Sequence, residues 1–207
     1  MTTNWLLRAL EESRARGFLG PGPIEPQILH AEGFAISWEE RFPNPPISFL
    51  DLGSGGGLPG LVLLERWGCR GLLIDSMLKR VNFLREVLEW PHAPENGEAL
   101  LGRSESIARN SAMEGSFDLV TARSFGPPAV TAECAARFLR IGGVLVTSEP
   151  PNDDETGRWD DDGLAVVGLV SEGRVRHGAA YQVLTKVNET PPEFPRDIGV
   201  PRKKPLF

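Results

Sequence analysis

The stretch Phe49-Leu50-Asp51-Leu52-Gly53-Ser54-Gly55-Gly56-Gly57-Leu58-Pro59-Gly60 decides the fold. An apolar run short enough to be a buried strand passes into a turn with almost no side chains and then into a helical sequence. Glycine tolerates positive φ and has no Cβ, so such a turn can wrap closely around a ligand and aim free helix N–H groups at it. Pro59 suits a first helical turn, where its missing N–H is not needed. The loop therefore sits at the carboxyl end of a strand, where open α/β sheets bind nucleotides.

Two ligand classes fit this turn. Read as Gly55-x-Gly57-x-x-Gly60 it matches a dinucleotide fingerprint, with Asp75 about where a ribose-binding acid belongs. Read as Asp51-x-Gly53-x-Gly55-x-Gly57 it resembles the first motif of S-adenosylmethionine-dependent methyltransferases. The second reading is preferred. Asp51 would put a carboxylate at the mouth of the loop, unhelpful beside a pyrophosphate but suited to an ammonium and a sulfonium.

A chain of 207 residues, 41% hydrophobic, is long enough for one well-buried domain and short for two. No apolar stretch approaches a membrane span and the start lacks a secretory layout, so a cytoplasmic protein is expected. Cys69 and Cys134 have neither metal spacing nor a CxxC pair and read as packing thiols; no metal is expected. A net charge of −6 argues against a protein that coats nucleic acid through a general positive field. Acids crowd at Asp153-Asp154-Glu155 and Asp160-Asp161-Asp162, whereas Arg196, Arg202, Lys203 and Lys204 make the end of the chain basic. On charge alone a solvated tail is the plainer reading of that end and a phosphate-contacting arm the sharper one.

Alternating strand and helix patterns predict a doubly wound, mostly parallel seven-stranded α/β sheet with a closing antiparallel hairpin, preceded by a small helical extension. Asn4 is expected to cap a first helix to about Arg16, and a second helix is expected from Ile24 to Phe42. Leu164 to Val170 and Arg174 to Val187 read as the hairpin, joined through Ser171-Glu172-Gly173. The expected divisions are 1–44 for the helical extension, 45–190 for the sheet domain and 191–207 for the basic tail.

Asp75 and Ser76 end the second strand, and the Asp75 carboxylate can accept both hydroxyls of a ribose; either residue could instead cap the next helix. Gly102-Arg103-Ser104-Glu105 follows the third strand, where the base of a bound nucleoside would lie. Arg123 stands just past the fourth strand on the ligand face, able to hold a phosphate, a carboxylate or a base edge. No general-base constellation is evident. His30, His92 and His177 share no partner pattern in the sequence, which suits methyl transfer to a lone pair, where positioning and water exclusion supply the rate.

Together these motifs, with Asp75-Ser76-x-x-Lys79-Arg80-Val81-x-Phe83-Leu84-Arg85, Thr121-Ala122-Arg123-Ser124-Phe125 and the ending Phe194-Pro195-Arg196-Asp197-x-Gly199-x-Pro201-x-Lys203-Lys204-Pro205-Leu206, resemble the bacterial small-subunit (16S) ribosomal RNA 7-methylguanosine methyltransferases, also called glucose-inhibited division protein B. The resemblance implies S-adenosylmethionine as cofactor, held by Asp51, Gly53, Gly55, Gly57, Leu58, Asp75, Ser76, Ser104, Glu105 and Arg123, with Arg123 also in the catalytic role. It implies small-subunit ribosomal RNA as partner; the basic side chains Lys79, Arg80, Arg103, Arg196, Arg202, Lys203 and Lys204 are expected to position its phosphates, and the oligomeric state is open, a monomer being favoured. The chain departs from the family in a shortened amino terminus, where Leu29-His30-Ala31-Glu32-Gly33-Phe34-Ala35 keeps only the histidine of an Arg-His-x-x-Asp-Ser-Leu stretch. It departs again at Ser148-Glu149-Pro150-Pro151, where the family has a lysine-glycine pair. Methylation of another substrate and a non-catalytic RNA-binding or ribosome-assembly role are the alternatives, with an NAD-dependent oxidoreductase behind them.

Overall fold

The computed structural model describes residues 3–151 and 157–207. Five strands run parallel: β1 (Ser48–Leu52), β2 (Arg70–Asp75), β3 (Gly97–Leu101), β4 (Phe117–Ala122) and β5 (Leu139–Glu149). They are joined by α3 (Gly60–Trp67), α4 (Leu78–Leu88), the short α5 (Ser104–Ile107) and α6 (Pro128–Ala136). After α7 (Asp161–Val166), β6 (Leu169–His177) and β7 (Ala179–Lys186) close the sheet, with β7 antiparallel to both neighbours. The order β3-β2-β1-β4-β5-β7-β6 is the seven-stranded doubly wound sheet expected from the sequence. It reverses direction between β1 and β4, so the crevice at their carboxyl ends is the topological switch point.

Each face of the sheet carries its own core. On one, α1 (Asn4–Ala15) and α2 (Ile24–Glu39) pack with α3 and α4 over Phe49, Leu73, Val146, Tyr181 and Val183. On the other, α6, α7 and the end of the chain cover Leu50, Leu72, Val120 and Leu145. Every residue of β1 is buried, as a central strand covered on both faces requires. α3 ends at Gly68, which takes φ 59 as a left-handed helix stop.

Five expectations need correction. Thr3, not Asn4, caps α1, its Oγ1 accepting from Leu6 N–H at 3.4 Å, and α2 stops at Glu39 rather than Phe42. Leu164 to Val166 is helical: Asp160 caps α7 by accepting from Gly163 N–H at 2.7 Å, and Asp161 and Asp162 occupy the first turn, where carboxylates complement the helix dipole. The hairpin turns at Gly178 (φ 75), whereas Ser171 to Gly173 forms a bulge inside β6. The end of the chain is docked, not free: it packs along the second face through Phe194, Leu206, Phe207 and Pro201 of α8 (Val200–Lys203), while Arg202, Lys203 and Lys204 stay exposed. The acidic stretch Asp153-Asp154-Glu155 lies outside the described residues.

Candidate active site

The carboxyl ends of β1, β2, β3 and β4 border a cavity of about 290 Å³, lined by Gly53, Asp75, Ser76, Ser104, Glu105 and Phe125 among others. Gly53 has φ 73 and faces Phe125; a Cβ there would stand 2.7 Å from that ring, so the position needs glycine twice over. Asp75 is 5% exposed and organises the floor. Its Oδ2 accepts from Gly55 N–H at 2.9 Å and its Oδ1 from Met77 N–H at 2.8 Å, while Arg80 approaches at 3.5 Å. Asp75 is thus both the start-of-helix acceptor and a lining residue, and it ties the glycine loop to β2.

Glu105 is buried at the opposite wall, its Oε2 taking Ser104 Oγ–H at 3.1 Å and its Oε1 taking Arg103 at 2.9 Å. Burial works against its charge, but the Arg103 guanidinium and the backbone N–H of Gly199 outweigh it and hold the carboxyl below its usual value. Cys134, a free thiol, and Arg202 complete this end.

Asp51 does not stand at the mouth of the loop. It is 1% exposed and lies beneath it, with Oδ2 accepting from Gly60 N–H at 3.1 Å and Oδ1 from Thr121 Oγ1 at 2.9 Å. Burial pushes its carboxyl up to about 6, against these hydrogen bonds and the nearby charge of Arg123. Gly55, Gly57 and Leu58 also shape the loop without lining the cavity: Gly55 is held by Asp75, a Cβ on Gly57 would strike Leu61 at 2.4 Å, and Leu58 belongs to the core. Ser13 on α1 donates to the Gly56 carbonyl at 2.8 Å, which fixes the loop from the helical side.

Arg123 is half-buried on the α2 side of the sheet, and the next residue, Ser124, takes φ 53. Its Nη1 is buried with no partner. Burial lowers its pKa, and Asp51 opposes that. Around it gathers a group that the sequence did not reveal. His30 on α2 packs on Tyr181 of β7 at 5.5 Å between ring centroids, and His177 stacks with the same ring at 6.0 Å. Tyr181 donates its hydroxyl to the His30 carbonyl at 2.5 Å. Burial, helped by Arg123, drives the His30 imidazole down to about 4, so it is neutral at ordinary pH and its Nδ1 is a second buried atom without a partner. His30 and His177, though not His92, therefore do share a partner, the Tyr181 ring, which stands 151 residues from His30 in the chain.

Of the basic residues expected at the RNA, Arg80, Arg103 and Arg202 border the cavity, and Lys79, Lys203 and Lys204 are exposed beside it. Arg196 does not line it: it pairs with buried Glu133 at 2.6 Å, so its charge, like that of Arg103 on Glu105, is already matched within the protein. At the end of β5, where the family's lysine-glycine pair would fall, Glu149 takes Arg158 at 3.0 Å and Trp159 Nε1–H at 3.1 Å.

The family model GidB, described as rRNA small subunit methyltransferase G, matches residues 35–155. Ribosomal RNA small subunit methyltransferase G of Streptococcus pyogenes serotype M3 (strain ATCC BAA-595 / MGAS315) is 33% identical over 174 residues, covering 79% of this chain and 71% of that protein. The chain belongs to the rRNA small subunit methyltransferase G family.

Solved structures extend the likeness at the level of fold. Cofactor-bound Rv0187 from MTB superposes with a TM-score of 0.62 at 17% identity, over 90% of this chain and 92% of that one. Geranyl diphosphate C-methyltransferase from Streptomyces coelicolor A3(2), solved with S-adenosyl-L-homocysteine, gives 0.56 at 14% identity over 76% and 78%. The protein is an S-adenosylmethionine-dependent methyltransferase, and its residues fit that cofactor. The partnerless Arg123 Nη1 is free to take a carboxylate, and the Asp75 and Glu105 walls offer acceptors of the kind that nucleoside hydroxyls and amines need. Among the described residues no group of acids, histidines or cysteines could hold a metal, and no helix is long and apolar enough to cross a membrane.

Proposed function

We propose that this family member transfers the methyl group to N7 of a guanine in small-subunit ribosomal RNA. The observation that carries the reading is the half-buried Arg123, its Nη1 unpartnered, past the end of β4 and next to the strand ends that border the Asp75–Glu105 cavity, so the two ends of one extended cofactor would each meet groups of the right chemistry. Asp75 would hold the ribose, Ser104 and Glu105 the adenine, and Arg123 the carboxylate, which fixes the reacting end. When bound, S-adenosylmethionine supplies an activated methyl on a sulfonium that leaves as a neutral thioether. Guanine N7 offers a lone pair with no proton to remove, so no residue need act as base. Neutral His30 and the Tyr181 ring instead keep the acceptor side dry and rigid. Lys79, Arg80, Arg103, Arg202, Lys203 and Lys204 would set the RNA by its phosphates. Work on ribosomal RNA would place the protein in the cytoplasm.

Calorimetry should show S-adenosylhomocysteine binding at about micromolar Kd, near 8 kcal/mol, with no comparable response to NAD. N7 methylation makes the guanine cationic and its glycosidic bond labile, so borohydride followed by aniline should cut the RNA at the modified base. Cofactor binding without scission, on small subunits from a strain lacking the family enzyme and on naked RNA, would refute the N7 assignment.

A further inference from the structure

Glu133 is fully buried on α6 among Ala132, Cys134, Ala135 and Ala136, and nothing in methyl transfer calls for a carboxylate there. Its acceptor capacity is directed at one residue. Oε1 accepts the backbone N–H of Arg196 at 2.8 Å and its Nε–H at 2.9 Å, and Oε2 accepts Nη2–H at 2.6 Å. A buried carboxylate is tolerable only with such compensation. The same Nη2 also donates to the Lys204 carbonyl at 2.7 Å, which draws the two ends of segment 196–204 together at a neck. Beyond the neck, Gly199, at φ 78, donates its N–H to Glu105 Oε1 at 3.0 Å, Pro201 is buried, and Arg202 lines the cavity. The tail and the nucleoside pocket thus share Glu105.

We infer that segment 196–204 is a wall of the cofactor pocket, that Glu133 and Arg196 are the residues that position it, and that its seating and cofactor binding are thermodynamically coupled through Glu105 and Arg202. This rests on the methyltransferase reading for the identity of the ligand. The coupling is reciprocal: whatever factor the seated tail adds to cofactor affinity, bound cofactor adds to the seating of the tail.

The full chain, its Arg196→Ala variant and its Glu133→Gln variant are titrated with S-adenosylhomocysteine by calorimetry, and trypsin cleavage after Arg202 and Lys203 is timed by mass spectrometry with and without that ligand. Glu133→Gln removes the buried charge and keeps an oxygen to accept from Arg196, so it folds even if Arg196→Ala, which leaves the Glu133 carboxylate without its guanidinium, does not, and the wild-type cleavage assay depends on neither variant. Arg196→Ala should weaken binding about tenfold, and saturating ligand should slow cleavage of the wild-type tail by a similar factor. A role in stability alone would not make cleavage depend on ligand. Wild-type binding that Arg196→Ala leaves within twofold, or cleavage indifferent to ligand, overturns the wall while leaving the methyltransferase reading intact. No binding by the wild type overturns both.

Discussion

Asp51 carries a charge that the fold discourages. Its unfolded-state pKa is near 3.8 and burial raises the folded value to about 6, so the native state binds more protons across that window. Stability from this group is complete below the unfolded value and is lost as pH rises through about 6. Relative to Asp51→Asn, wild type should lose about 2 kcal/mol between pH 4.5 and 7.5 in urea unfolding; parallel pH profiles would show that Asp51 does not titrate as argued. The carboxylate is kept because it receives the Gly60 N–H at the start of α3 and Thr121 of β4, joining loop, helix and strand. At this scale the sequence was half legible. Asp75 and Glu105 stand where their spacing put them. Asp51 was placed at the loop mouth because the pattern Asp-x-Gly-x-Gly says nothing about which side of the loop a side chain enters. His30 and Tyr181 could not be paired at all, since only the closed sheet brings them together.

Among the elements, α2 against β7 is a contact that leaves little room for change. A Cβ on Gly33 would lie 2.1 Å from the Tyr181 hydroxyl, so this mid-helix glycine exists to let the phenol pass under α2. Gly33→Ala should destabilise the protein by about 1–3 kcal/mol through overpacking, although alanine alone would favour the helix by about 1 kcal/mol. In a Tyr181→Ala background the same substitution should cost nothing, a non-additivity that urea unfolding of the four proteins reads directly. Equal costs in both backgrounds would place the strain elsewhere. Strand and helix order was legible from hydrophobic runs and turn residues. The errors fell where one signal has two meanings: Asp160-Asp161-Asp162 reads as loop acid or as a helix cap with its first turn, and Gly173 reads as a hairpin turn or as a bulge.

For the molecule as a whole, a net charge of −6 must coexist with an RNA partner. The exposed Lys203 and Lys204, next to the cavity-lining Arg202, offer a local answer. Lys203→Ala/Lys204→Ala should weaken RNA association and reduce the slope of log affinity against log salt by about 1.5, close to two phosphates' worth; an unchanged slope would remove these lysines from the interface. Fold class was legible because a parallel doubly wound sheet announces itself in alternating elements. The docked tail was not, because its anchor Glu133 is a single acid in an apolar helix and its partner lies 63 residues on. That distance has a consequence in time. Apart from Arg202, the cavity's lining comes from Leu52 to Cys134, and the bond from Gly199 reaches back 94 residues to Glu105. Contacts so far apart form late, after the sheet has brought their acceptors into place. A ribosome making this chain therefore builds most of the pocket well before residue 202 emerges, and the nascent enzyme passes through a stage with an open side.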